Sequence, residues 1–149
     1  MMYLVDTNVV SESRKTTRGK TRSSTIDEHV SAWFGSVFAS SLYLSAISVL
    51  ELEIGCLLLE RRDHLQGAVL RTWIDNQVLP SFAGRVLPVD TSVALRAAAL
   101  HVPDRCSDRD ALIAATALVH GMTVVTRNVS HFERTGVPLL NPWDSPQPV

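Results

Sequence analysis

Short apolar runs alternate along this chain with longer segments of helical period, and that alternation restricts the fold more than any other feature. Strands are expected at Met2 to Val5, Leu42 to Leu44, Arg85 to Val89 and Met122 to Thr126, with a fifth at Pro138 to Leu140. Helical segments fall between them. Strand–helix–strand succession of this kind implies an α/β fold, a parallel sheet with helices on both faces. With 149 residues the chain supplies one substantial core, so residues 1–149 are read as a single domain. Ligands in such folds collect beyond the carboxyl ends of the strands, and chemistry is sought there.

The helix boundaries come from caps and stops. Thr25-Ile26-Asp27-Glu28 matches a capping box, with Thr25 as cap and Glu28 reaching back. Behind it Val30, Trp33, Phe34, Val37 and Phe38 form one apolar stripe at helical spacing. Ile47 to about Glu60 is apolar nearly all round, which predicts a largely buried helix. His64 to Val78 carries Leu65, Val69 and Trp73 on one side, with Pro80 as its stop. Asp90 or Thr91 caps the helix running to about His101, which Pro103 ends. Ser107 to His120 is the next, closed by Gly121.

Charge and cysteine content narrow the setting. The net charge of −1 gives no global field for polyanions. Arg14, Lys15, Arg18, Lys20 and Arg22 lie in an acid-free stretch rich in Ser, Thr and Gly, and leave −6 for the rest. That stretch reads equally as a solvated loop or as a phosphate-contacting arm. Cys56 and Cys106 lack metal-ligand spacing and read as two ordinary thiols. The N-terminus lacks the pattern of a signal peptide, and charges interrupt every apolar run before it reaches membrane length. A cytoplasmic protein with no membrane partner is expected.

Four oxygen-bearing side chains occupy places that invite chemistry. Asp6 follows the first strand, where it serves either as a helix cap or as a ligand. Glu51 shares a helical face with Ile47, Ile54 and Leu58, a slot where an apolar residue is expected. A buried carboxylate needs compensation, and no Arg or Lys lies one turn away on that helix, so a cation is expected beside it. Asp110 begins a face continued by Ile113, Ala114 and Ala117, small residues that let a helix lie close to a sheet; Ser107 with Asp110 also resembles a capping box. Asp108 points about 200° away at 3.6 residues per turn and is the poorer candidate. Asn128 follows the fourth strand, as a neutral ligand or as a turn residue.

Asp6, Glu51, Asp110 and Asn128 together gather hard oxygen ligands, a set suited to Mg²⁺ or Mn²⁺ and unlike a zinc site. Phosphodiester hydrolysis is the chemistry that uses such a site.

These residues resemble the PIN-domain family, and within it the VapC-type toxins of the FitB-like branch. The matching pieces are Leu4-Val5-Asp6-Thr7-Asn8, Leu44-Ser45-Ala46-Ile47 leading to Glu51-Leu52, and Leu79 to Arg85. Asp110 to Ala117, Thr123 to Asn128 with Phe132, and Asn141-Pro142-Trp143 complete the set. Each motif is modest; their order over almost the whole chain makes the match specific. The resemblance implies a three-layer α/β/α sandwich with a mostly parallel sheet, an acidic Mg²⁺ site and endoribonuclease activity on RNA. It also implies homodimers and a toxin–antitoxin hetero-oligomer, in which the tail of a cognate antitoxin plugs the site. Asp6, Glu51 and Asp110 match the family's metal-binding acids, and Asn128 the position where many members carry a fourth acid. Asn8, Ser45 and Thr126 match polar positions around the site. Lys15 to Ser24 is longer than usual in this branch. With Asn at position 128, one tight metal site is expected.

Other classes fit less well. A haloacid-dehalogenase-type phosphatase normally carries a second Asp two residues after the first, where this chain has Asn8. No glycine-rich turn follows the first strand and no Gly-x-Ser-x-Gly elbow exists, so nucleotide-binding loops and serine hydrolases find no support. The competing expectation is a catalytically inactive PIN-like module that binds RNA or a protein partner.

Overall fold

The computed structural model describes residues 1–15 and 25–144. Five short strands, β1 (Tyr3–Val5), β2 (Leu42–Ser45), β3 (Val86–Leu87), β4 (Thr123–Val125) and β5 (Leu139–Leu140), form one sheet in the order β3-β2-β1-β4-β5. Every pairing is parallel, with Tyr3 opposite both Leu42 and Thr123. The α/β expectation therefore holds, and the order reverses direction between β1 and β4. That reversal is the crevice in which open parallel sheets bind ligands.

Helices α1 (Thr7–Ser13), α2 (Glu28–Ser36), α3 (Ala46–Arg62), α4 (His64–Trp73), α5 (Leu79–Ser81), α6 (Thr91–Leu100) and α7 (Asp108–His120) cover the sheet. One apolar cluster joins Val5, Val9, Leu44, Leu52 and Ile74 on one face. The other joins Leu4, Ile113, Ala114, Val124 and Phe132. Leu4, Val5, Val124 and Val125 are fully buried, because a central strand covered on both sides needs apolar residues at successive positions.

Four local expectations need correction. The α2 cap is Asp27, not Thr25: its carboxylate accepts from the amides of His29 and Val30, and an ionised acceptor bonds amides more strongly than a hydroxyl. Phe38 falls outside that helix and is exposed. Pro80 does not stop the helix before it. A π-turn at Ile74–Val78, in which the Leu79 amide bonds the Ile74 carbonyl, widens the turn ahead of the ring, and α5 continues through Ser81. Helix α3 is not buried all round either. Ser48, Leu52 and Cys56 face the core, whereas Leu57 and Leu58 are exposed, as are Leu65 and Val69 on α4.

Asp90 caps α6 through the Val93 amide, and Gly121 ends α7 in the left-handed conformation. The hairpin of α3 and α4 closes over Gly67, where a Cβ would stand 2.5 Å from Glu60 Cα. Arg71 clamps the same hairpin, meeting Glu53 at 2.7 and 2.9 Å and Glu60 at 3.1 Å. Glu53, two residues after Glu51 on the same helix, is thereby committed to this clamp and away from the cavity. Cys56 and Cys106 are free thiols, and no described helix is long and apolar enough to cross a membrane.

Candidate active site

Asp6 stands where β1 hands over to α1. Its amide bonds the Val125 carbonyl at 2.8 Å, which ties it to β4, and its side chain caps α1 by accepting from the Thr7 amide at 2.8 Å. The other carboxylate oxygen accepts from Thr126 Oγ1 at 2.7 Å and from Asn8 Nδ2 at 3.4 Å. The capping and ligand readings of Asp6 are thus compatible, because one oxygen serves the helix while the second faces the crevice.

Asn8 also accepts the Arg127 amide at 3.2 Å, and Thr126 Oγ1 accepts the Asn128 amide at 3.0 Å. These bonds stitch the carboxyl ends of β1 and β4 together. Ser45 lies one strand away. It is fully buried and caps α3 through the Ile47 amide at 3.0 Å, so it orients the helix that carries Glu51 without lining the cavity itself.

The cavity over this edge has a volume of about 730 Å³. Asp6, Glu51 and Asp110 line it, joined by Thr7, Asn8 and Asn128. Residues 6, 51 and 110 are far apart in sequence; the β1–α1 junction, α3 and the first turn of α7 bring them to one opening. Ser107 caps α7 through the Asp110 amide at 3.4 Å. Asp108 reaches the rim but turns to His101 at 3.4 Å and Arg105 at 3.8 Å, in line with its expected divergence from Asp110.

Glu51 does not sit in a core slot. Its helical face is half-buried, with Leu58 exposed at the far end, and the carboxylate looks into the cavity with its side chain 28% accessible. Its partners come from other elements, which is why inspection of α3 alone found none. Thr7 Oγ1 donates to Glu51 at 2.9 Å, and Arg109 of α7 approaches at 3.8 Å. His131 stands 3.7 Å from Asp110 in the same way. Sequence reasoning missed Thr7, Arg109 and His131. Only Thr7 left a signal, by its adjacency to Asp6.

All three carboxyls titrate above their ordinary range. Burial is the main cause for Asp6, opposed by the bonds from Thr126 and Thr7 and reinforced by repulsion from Asp110. Burial also raises Glu51, against the bond from Thr7, with Asp6 and Asp110 adding repulsion and Arg109 subtracting from it. Asp110 is raised by burial and eased by His131. Three desolvated like charges facing one space are a standing electrostatic cost that a cation would relieve.

Among the described residues, no three His, Cys, Asp or Glu side chains stand close enough together to hold a metal ion between them directly. The donors are carboxylate oxygens, the hard ligands of divalent cations such as Mg²⁺ or Mn²⁺, and an ion taken up here would keep waters of its own between itself and some of them. They do not suit an all-protein cage of the zinc kind.

Comparison with known proteins is consistent over nearly the whole chain. Residues 3–138 match the PIN domain family. The chain is 36% identical to the VapC ribonuclease Y4jK of Sinorhizobium fredii over 148 residues, 96% of this chain and 99% of that protein. It is 38% identical to Toxin FitB of Neisseria gonorrhoeae over 147 residues, 95% of this chain and 99% of the toxin. Among solved structures, FitAB bound to an IR36 DNA fragment superposes with a TM-score of 0.83 at 36% identity, covering 98% of this chain and 99% of that one. FitAcB from Neisseria gonorrhoeae gives a TM-score of 0.81 at 37% identity, covering 95% and 99%.

Proposed function

The chain belongs to the PIN-domain family, and on that premise we propose that it is the toxin of a type II toxin–antitoxin pair, an endoribonuclease that cleaves RNA with a divalent cation. Mg²⁺, or Mn²⁺ in its place, is the ion of choice, with Asp6, Glu51 and Asp110 as the residues that hold it. One observation carries this reading: three carboxylates from separate elements share one cavity, each with its proton affinity raised. The names of the two relatives, a ribonuclease and a toxin, point the same way.

When bound, the ion acidifies a water and offsets charge gathering on the phosphoryl oxygens. The protein's task is to aim the ligands. Thr126 and Thr7 fix both oxygens of Asp6, so a cavity-lining carboxylate is held in one orientation. Thr7 holds Glu51 and Ser45 holds the start of its helix, which restrains the second carboxylate. Asp110 projects from a helix whose Ile113, Ala114 and Ala117 face is buried against the sheet. Asn128 lines the cavity with its amide on Thr126, a place from which its side-chain oxygen would hold a water. Asn8 braces Thr126 and the Arg127 amide behind these groups.

The cognate partner is an antitoxin, and the exposed apolar residues Leu57, Leu58, Leu65 and Val69 suit burial in a homodimer or in the toxin–antitoxin assembly. Of the basic stretch, Arg14 lies 5.9 Å from the Trp73 ring and Lys15 pairs with Glu12 at 2.9 Å. Arg18, Lys20 and Arg22 lie outside the described residues. The test is RNA cleavage by purified, antitoxin-free protein in Mg²⁺ or Mn²⁺ against EDTA. Metal-dependent cleavage is expected. Intact RNA under every condition would overturn the enzyme reading and leave a PIN-like binding module.

A further inference from the structure

Arg109 is the one lysine or arginine among the described residues that line the acidic cavity. Its approach to Glu51, 3.8 Å between Nη1 and Oε2, is too long for a hydrogen bond. The same chain shows what a committed guanidinium looks like. Arg71 grips Glu53 through both nitrogens at 2.7 and 2.9 Å, and Arg85 spends its donors on the carbonyls of Ala39, Leu42 and Ser81. Arg109 does neither: it is half-exposed, and its contact with Glu51 is loose. A planar fork with uncommitted donors is built to take two oxygens of one phosphate or carboxylate. Glu51 offers a single oxygen at long range, so it is a counter-charge for Arg109 and a poor final partner.

We infer that Arg109 is a substrate-positioning residue: it neutralises Glu51 in the metal-free protein and passes to a non-bridging phosphate oxygen of the RNA when a divalent cation takes Glu51. The inference rests on the ribonuclease reading above and adds the residue that anchors the phosphate. Each charged group keeps a partner of opposite sign through the exchange. A cation arriving beside Glu51 repels the guanidinium, and the incoming phosphodiester supplies the anion that Arg109 then lacks. His131 beside Asp110 lies on the same rim, but it is an exposed imidazole with one ring nitrogen directed at that carboxylate. Arg127 is engaged differently, 4.9 Å from the Trp143 ring.

Three measurements on Arg109→Ala and Arg109→Lys test the exchange. Cleavage of a synthetic single-stranded RNA in MgCl₂ should show KM raised roughly tenfold or more in Arg109→Ala, the scale of a charged hydrogen bond, with kcat changed far less. Binding of an uncleavable RNA analogue, followed against NaCl at fixed MgCl₂, should lose about 0.7 from its logarithmic slope in Arg109→Ala, one phosphate's worth for a single strand, whereas in EDTA the slope should stay at the wild-type value. Calorimetric titration with Mg²⁺ alone should show tighter binding in Arg109→Ala, because the competitor for Glu51 is gone. Arg109→Lys should restore the salt slope but only part of KM, having charge without the fork. Wild-type KM, salt slope and Mg²⁺ affinity in Arg109→Ala would overturn the inference. If the wild-type protein cleaves no RNA, the ribonuclease reading fails by itself, and the binding and titration arms still decide the role of Arg109.

Discussion

Thr126 donates from Oγ1 to Oδ2 of Asp6 across 2.7 Å, and the bond spans the crevice where the sheet changes its direction of winding. Both residues are buried, and each directly follows one of two neighbouring parallel strands. The same hydroxyl accepts the Asn128 amide, so one threonine orients the carboxylate and anchors the loop beyond β4. Replacing it by valine keeps the shape and removes the donor. Thr126→Val is expected to lose roughly 10–100-fold in metal affinity or cleavage, the usual cost of a lost supporting bond behind a metal ligand. Calorimetry with Mg²⁺ and a cleavage assay measure it; unchanged values in both would show that the bond is incidental.

Asp6→Asn and Asp110→Asn should each abolish RNA cleavage and cellular toxicity while the fold persists. Asparagine keeps the cap on α1, since its carbonyl oxygen can still accept from Thr7. The metal-free variants should melt no lower than wild type, because each removes a desolvated charge. Circular dichroism with a cleavage assay separates the two effects, and normal cleavage by either variant contradicts the assignment.

Acidity offers an independent check on the shared cavity. Asp6, Glu51 and Asp110 titrate above their ordinary values of 3.8, 4.5 and 3.8, so the folded protein holds more protons there than the unfolded chain. The resulting stabilisation is full below those ordinary values and is lost as pH rises through the raised ones. Relative to wild type, an Asp6→Asn, Glu51→Gln, Asp110→Asn triple variant should therefore gain stability progressively as pH climbs from the ordinary carboxyl range towards neutrality, in EDTA. Melting curves across that range show it. A stability difference that stays flat with pH would mean the carboxyls are not desolvated together.

Metal stoichiometry follows from the neutral residue at position 128. Asn128 is exposed at the cavity edge and brings no charge, and of the four carboxylates lining the cavity Asp108 turns to His101 and Arg105, which leaves Asp6, Glu51 and Asp110. Titration of the free protein with Mg²⁺ should show one tight equivalent, and Asn128→Asp should strengthen a second. Two tight equivalents in the wild type would contradict this.

Gly67→Ala probes stability away from the chemistry. A methyl there would meet Glu60 backbone at 2.5 to 2.8 Å, so α3 and α4 must separate. A loss of about 1–3 kcal/mol is expected from such overpacking, with cleavage below the melting temperature unaffected. Urea unfolding gives the value; wild-type stability would mean that the hairpin yields without cost.

Much of the fold could be read from local pattern. The five strands, the cap at Asp90 and the stop at Gly121 are decided by residues within a turn or two, so each appeared within a few residues of its expected place. Burial was harder. The apolar stripe of Leu65, Val69 and Trp73 on α4 is only partly covered: Trp73 packs on the core and Leu65 is 81% exposed, since periodicity reports an apolar face without saying what covers it. The core slot expected for Glu51 failed in the same way: Ile47 on its face packs on the core, but Glu51 looks into the cavity and Leu58 into solvent.

By itself the sequence determined the alternation of strand and helix, and with it the edge on which Asp6 and Asn128 would lie, because backbone hydrogen bonding and side-chain period act over a few residues. Only the tertiary structure decided the strand order, the meeting of Thr7 and Arg109 with Glu51, and that of His131 with Asp110. Those contacts depend on which elements become neighbours. That choice is made by packing across the whole sheet, where no local period carries the information.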